Sequence, residues 1–224
     1  MRLVTTLFLL AVLIATGCAP AAYQAENFEQ RTAGHQTIAV LPLQLTYTGR
    51  LPTDWSEAKA DSLRRQESLL LQTSLQTALL NRVRNSRRTF RVDLLATTTT
   101  NNRLRAAGIE PHLAYLEDPA VLVATLGVDA IVVTAVNKER FLSEEASFVV
   151  STANTVISTI GNNPVAGILG RGARTYNVDV RVDLVDAEGV VLFNDRSEFN
   201  MDWATTPNES IEIIGARISR RFPY

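Results

Sequence analysis

Thr37-Ile-Ala-Val-Leu-Pro-Leu-Gln-Leu45 is apolar at odd and even positions alike. Successive side chains of a strand point to opposite faces, so a run of this kind is stable only where both faces are buried. The run predicts a central strand in a sheet with a layer on either side. Pro42 has no amide to give to a ladder and marks the strand's end or an edge position. Thr46 to Thr53, with Gly49 and Pro52, reads as the loop that follows. Tyr176 to Asp186 is built differently. Val178, Val180, Val182 and Leu184 alternate with Asn177, Asp179, Arg181 and Asp183, which predicts one packed face and one wet face. Glu188-Gly189 then turns the chain into a second strand, Val190 to Phe199, to make a hairpin.

Helical signals fill the intervals. Trp55 to about Arg84 carries Leu63, Leu71, Leu75, Leu79 and Val83 near one stripe, widened by Leu70 and Leu80. Asp54 or Ser56 suits its start, and Arg82, Arg84, Arg87 and Arg88 crowd its end, where the helix dipole favours cations. Thr89 to Leu95 alternates as a strand, and Thr97 to Ala107 reads as a short helix ended by Gly108. Asp118-Pro119 pairs an N-cap with proline at the first helical position, and Gly127 stops that helix. Asp129 to Val136 is a second buried strand, and Ser210 to Phe222 is a closing helix with Ile211, Ile214 and Ile218 inward. Early strands joined by helices, followed by a late hairpin, predict an α/β (α+β) fold with a single mixed β-sheet covered by helices.

The first residues carry processing information. Arg2 precedes Leu3 to Ile14, a largely apolar run of 12 residues, too short to span a bilayer as a helix. Ala15-Thr16-Gly17-Cys18 follows and resembles the lipobox of bacterial lipoproteins. That resemblance implies a diacylglyceryl group on the Cys18 thiol and cleavage before it. It divides the chain into a signal peptide (1–17), an acylated cysteine and tether (18–36) and a domain (37–224). Ala19, which is not Asp, implies sorting to the outer membrane, facing the periplasm. Cys18 is the only cysteine and there are two histidines, so an in-chain disulfide is impossible and a Cys/His zinc site lacks ligands. A formal net charge of −1 argues against a nucleic-acid partner.

Four features carry a wider resemblance: Ile38-Ala39-Val40-Leu41-Pro42, Leu126-Gly127-Val128-Asp129-Ala130-Ile131, Leu184-Val185-Asp186-Ala187-Glu188-Gly189, and Phe222-Pro223-Tyr224. Together they resemble uncharacterised bacterial lipoproteins. More distantly, they resemble the α/β domain of the curli secretion lipoprotein CsgG, of the TolB N-terminal region and of a lipoprotein activator of penicillin-binding proteins. The resemblance implies binding, assembly or pore formation in the envelope, not catalysis, and places no functional residue other than Cys18.

Residues 146–170 are uncharged for 25 positions. Phe148, Val149, Val150, Val156, Ile157 and Ile160 make this insertion either a helix or loop packed on the domain, a membrane- or partner-contacting segment, or, as in CsgG-like proteins, strands of an oligomeric barrel. The Arg82–Arg91 cluster is either a solvated helix end or a contact for anionic lipid or an acidic partner. Asp179, Asp183 and Asp186 suggest a metal site, but Asp179 and Asp183 share the wet face with Arg181 between them, so cross-strand charge pairing is the simpler reading. His35 falls in the tether and His112 in a loop after Pro111, outside any recognisable nucleophile or cofactor motif. The leading expectation is a non-enzymatic envelope lipoprotein that binds or assembles with a protein partner and needs no cofactor. The alternatives are an oligomeric CsgG-like channel subunit, and an enzyme of unknown class, which requires His112 and carboxylates to converge in a deep pocket.

Overall fold

Two collinear strands stand where one was expected at 37–45. The computed structural model describes residues 22–49, 56–85, 92–140, 174–202 and 207–224. Within them β2 (Thr37–Val40) and β3 (Gln44–Gly49) lie end to end along one edge of β5 (Ala130–Arg140), both parallel to it. Val40 faces Val132 and Gln44 faces Ala135, so four steps on one side match three on the other. The extra residue is a bulge, one of the few places in a sheet that tolerates proline, and Pro42 sits in it. The Leu41 amide still donates to the Val132 carbonyl at 3.1 Å. The bulge changes the parity of the chain. Ile38 and Val40 enter the larger core, Ala39 and Leu41 the smaller one on the opposite face, and then Leu43 and Leu45 return to the larger core. The loop expected from Thr46 is instead strand as far as Gly49. There φ is +82° and a Cβ would collide with the Arg140 carbonyl, so the crossing admits glycine alone.

The strands form one mixed sheet of seven in the order β1-β7-β6-β5-β2-β4, with β3 also on β5. Here β1 is Tyr23–Gln24, β4 Asp93–Leu95, β6 Arg174–Asp186 and β7 Val191–Asp202. The expected hairpin is present. Its loop, Ala187 to Gly189, ends with Gly189 at φ +75°, as a three-residue hairpin loop requires. Leu184 faces Phe193 and Val185 faces Val191, so Leu192 is a second bulge residue and shares the larger core with Phe193.

Helices cover both faces. On one lie α2 (Glu57–Asn85) and α5 (Pro207–Arg221), with Leu71, Leu75, Leu79, Val83, Ile214 and Ile218 packed on Ile38, Val132, Val180, Val182 and Leu184. Leu70, expected to widen the stripe, is 55% exposed. On the other face lie α3 (Thr97–Ala106), a 3-10 helix (Pro111–Leu116) where a loop was expected, and α4 (Pro119–Leu126). Leu104, Leu122 and Leu126 meet Ala39, Leu41, Ile131 and Val185 there. The α4 ends match their sequence signals: Asp118 Oδ1 accepts from the Ala120 amide at 2.8 Å, and Gly127 is left-handed.

Three polar side chains one helical turn apart on α2 are buried, and all donate to backbone carbonyls near the broken strand. Ser68 donates to Leu43 at 2.7 Å, Gln72 to Val40 at 2.8 Å and Gln76 to Leu95 at 3.1 Å. Gln72 also exchanges hydrogen bonds with Asn101 of α3 at 2.9 and 3.2 Å, tying the two helical layers together.

Residues 22–36 are not a free tether. Tyr23 and Gln24 pair with Asn194 and Phe193, Ala25 donates to the Leu192 carbonyl at 3.0 Å, and α1 (Phe28–Thr32) buries Phe28 in the larger core. The segment lacks periodicity because its strand is two residues long and its helix five.

Urea unfolding tests this layering. Leu79→Ala is expected to cost about 2–5 kcal/mol, Leu70→Ala within about 0.5 kcal/mol of zero, and Gln72→Leu about 1–3 kcal/mol through the Val40 carbonyl left without a partner.

Candidate functional site

Three surfaces bring polar residues together. The first is a junction of α1, the β6–β7 turn and residues 222–224. Asp186, at the parity of the packed Val182 and Leu184, is buried and accepts from four donors. Its Oδ1 takes the Glu188 and Val190 amides at 3.1 and 2.9 Å, and its Oδ2 takes Arg31 Nε at 2.8 Å and Arg31 Nη2. Arg31 reaches Glu188 as well, at 2.8 Å. Phe222, Pro223 and Tyr224 are buried beside it, with the Tyr224 ring 5.9 Å from that of Phe28 and 5.7 Å from that of Phe222. His35 Nδ1 and the Tyr224 hydroxyl lie 2.6 Å apart. Burial, then the charges of Asp129 and Asp186, push the Tyr224 pKa up, so its hydroxyl stays protonated and donates. Burial also pushes His35 below the ordinary histidine value, which leaves the imidazole neutral and Nδ1 free to accept. Asp129 closes the same corner by accepting the Gln36 and Thr37 amides, each at 2.8 Å.

The second is a shallow concavity of about 260 Å³ on one face of β3, β5, β6 and β7. Arg181 and Arg196 stand directly opposite each other, an arrangement that repels. Both turn to carboxylates. Arg196 forms a two-point pair with Asp179 at 2.8 Å, and Arg181 reaches Asp183 on its own strand at 3.0 Å. Asn194 donates to Asp183, and Asn177 to Glu198 at 2.7 Å. The charge pairing expected here is present. Among the described residues no group of three or more His, Cys, Asp or Glu has an arrangement able to hold a metal ion.

The third is a cleft of about 300 Å³ between α2, β3 and the 3-10 helix. It holds His112 with Asp61, Arg64, Arg65, Ser68 and Tyr115, a convergence that an enzyme reading asks for. The partners of these groups are structural. Ser68 donates to the Leu43 carbonyl, Asp61 pairs with Arg64 at 2.7 Å, and the carboxylate beside His112 is Glu110 at 3.9 Å. Burial, followed by the charge of Arg65, pushes the His112 pKa down. Neutral imidazole is the form of a base, and the polar contact given to it among the described residues is with the Glu110 carboxylate.

Cys18, Phe148, Val149, Val150, Val156, Ile157 and Ile160 fall outside the described residues, as do Arg87, Arg88, Arg91, Trp55 and Trp203. Arg82 and Arg84 are exposed at the end of α2. No described helix is long and apolar enough to cross a membrane. The His35–Tyr224 contact spans 189 residues and had no local signal.

No protein-family model matches the chain, and no curated protein matches it. Solved structures with a similar layout include lipoprotein GNA1162 from Neisseria meningitidis, at 11% identity and TM-score 0.43 over 82% of this chain and 94% of that one. The LpoB C-terminal domain from Salmonella enterica is 8% identical, with TM-score 0.38 over 78% and 93%. A PelC dodecamer from Paraburkholderia phytofirmans is 10% identical, with TM-score 0.37 over 89% and 91%. At TM-scores below 0.5 these likenesses bear no weight, and the architecture rests on the registers and packing given above.

The two histidines make stability depend on pH. Both have folded pKa values below the ordinary 6.5, so the unfolded chain binds the extra protons and stability rises with pH. Their contribution is complete above 6.5 and is lost as pH falls through the lowered folded values. Urea midpoints measured from pH 7.5 down to 5 are expected to fall, and His35→Gln and His112→Gln each to flatten that fall. An unchanged slope in both variants would refute the assignment.

Proposed function

We propose that this protein is a lipid-anchored component of a bacterial cell envelope. Its α/β domain binds or assembles with another envelope protein and performs no catalysis. The observation that carries the reading is Ala15-Thr16-Gly17-Cys18 behind a short apolar run, with the chain's one cysteine at the position that acylation demands. Several acyl chains anchor firmly because each buried methylene contributes about 0.8 kcal/mol. Ala19 favours the outer membrane, with the domain in the periplasm. The non-catalytic part is supported by the chemistry of the described surfaces. The hydroxyl of Ser68, the imidazole of His35 and the carboxylates of Asp61, Asp179, Asp183 and Asp186 all hold structural partners. The surface left for a partner includes the charged sheet face around Arg196 and the cleft edge, where the 3-10 helix exposes Leu113 and Leu116.

Expression in a bacterium that processes lipoproteins tests the anchor. The mature wild-type chain is expected in the detergent phase, starting at Cys18 and heavier by its acyl groups, and Cys18→Ala in the aqueous phase. An unmodified wild-type cysteine would overturn the reading. Native mass spectrometry of the acylated protein is expected to give a monomer or dimer. A discrete ring of many subunits would replace the accessory reading with that of a channel subunit.

A further inference from the structure

We infer that the β1–β7 edge of the sheet is the face this domain turns to the lipid surface, held there by a leash too short to let the domain leave. The inference rests on the anchor reading above and adds to it a geometry. A spacer of residues 18–36 would reach about 65 Å when extended, enough to carry a domain well away from a bilayer. That spacer does not exist as such. Tyr23 is already in the sheet, paired with Asn194, and Phe28 is in the core. Five peptide steps separate Cys18 from Tyr23, and five steps span at most about 18 Å. An acylated Cys18 therefore keeps β1 within that distance of the headgroups.

The edge has a residue suited to the place. Tyr23 is 55% exposed, the most exposed aromatic side chain among the described residues, and it is the first to emerge from the anchor. Tyrosine favours the membrane–water interface, where its ring and its hydroxyl find different surroundings. The exposed charges around Tyr23 include the acidic Glu26, Glu29 and Glu188, and the cations near them are paired: Arg31 with Asp186 and Glu188, and Arg196, two residues along β7 from Asn194, with Asp179. Attraction to anionic lipid is therefore not what holds the edge down, and the orientation should survive high salt. Across the sheet, five interstrand spacings of about 4.8 Å place β4 some 24 Å from β1. α3, which follows β4, lies at the side away from the lipid. A protein partner must accordingly stand on or beside the same membrane.

Fluorescence quenching tests the geometry on the full acylated chain in phosphatidylethanolamine–phosphatidylglycerol vesicles containing a headgroup-nitroxide lipid. A fluorophore is placed on Gln24→Cys, beside the leash, or on Asn102→Cys, exposed on α3. Quenching at position 24 is expected to exceed that at 102 several-fold, in low and high salt. A Gly-Ser insert of about twenty residues after Ala19, spanning about 25 Å on average, should abolish the difference. Equal quenching at the two positions, or a difference that the insert leaves intact, in protein that floats with the vesicles overturns the orientation and leaves the anchor standing. Protein that does not float and carries an unmodified Cys18 overturns both.

Discussion

The bulge at Pro42 is the constraint around which the rest of the domain is arranged. A parallel strand that must bury side chains on both faces has no tolerance for a missing amide in its middle. The chain places the proline where one extra residue lifts out of register, and then meets the carbonyls near the break from above. Ser68, Gln72 and Gln76 of α2 reach the Leu43, Val40 and Leu95 carbonyls. Those bonds set how α2 sits along the sheet, and with it which residues of α2 and α5 form the larger core. Through Asn101 the same glutamine reaches the helix on the opposite face. A backbone irregularity thus fixes the relation of all three layers.

A second fixed point lies at the turn end of the hairpin. Asp186 is buried, and it organises its own turn through two amides while binding Arg31 from a segment 155 residues away. Tyr224 and Phe222 fill the space beside that pair, and His35 completes it. The residues on both sides of the domain proper are therefore part of its core. This is why the corner at Asp186 is packed shut, whereas the charged face around Arg196 and the cleft by His112 are concave among the described residues.

Where a physical signal is local, the chain's pattern and its structure agree. Asp118-Pro119 and Gly127 bound α4 because capping and left-handed backbone act within a few residues. The 176–199 hairpin follows its alternation because one of its faces is wet. The two-faced run at 37–41 is buried on both sides for the reason its composition gives. What escapes is what depends on distance. Ser68, Gln72 and Gln76 look like a solvated stripe until the strand carbonyls they serve are present. Asp186 has the parity of the packed positions, but the partner that lets a carboxylate sit there, Arg31, is 155 residues away. The 22–36 segment has too few residues per element to display a period, and the 3-10 helix at 111–116 has no period to display. The residues that sequence marks for function, Cys18 and the uncharged run around Phe148 to Ile160, fall outside the described residues.

The parity change at Pro42 has a consequence for how such a chain can vary over time. Removing Pro42 makes the steps on the two sides equal and leaves Leu43 and Leu45 on the larger-core face, Leu45 still opposite Val136. A residue gained or lost inside β2 or β3 has no such outlet, because it turns every side chain beyond it to the other face. Chains that share this architecture should therefore differ in length at 41–43 more readily than anywhere within the two strands, so that the joint is where one residue can come or go without disturbing the layers.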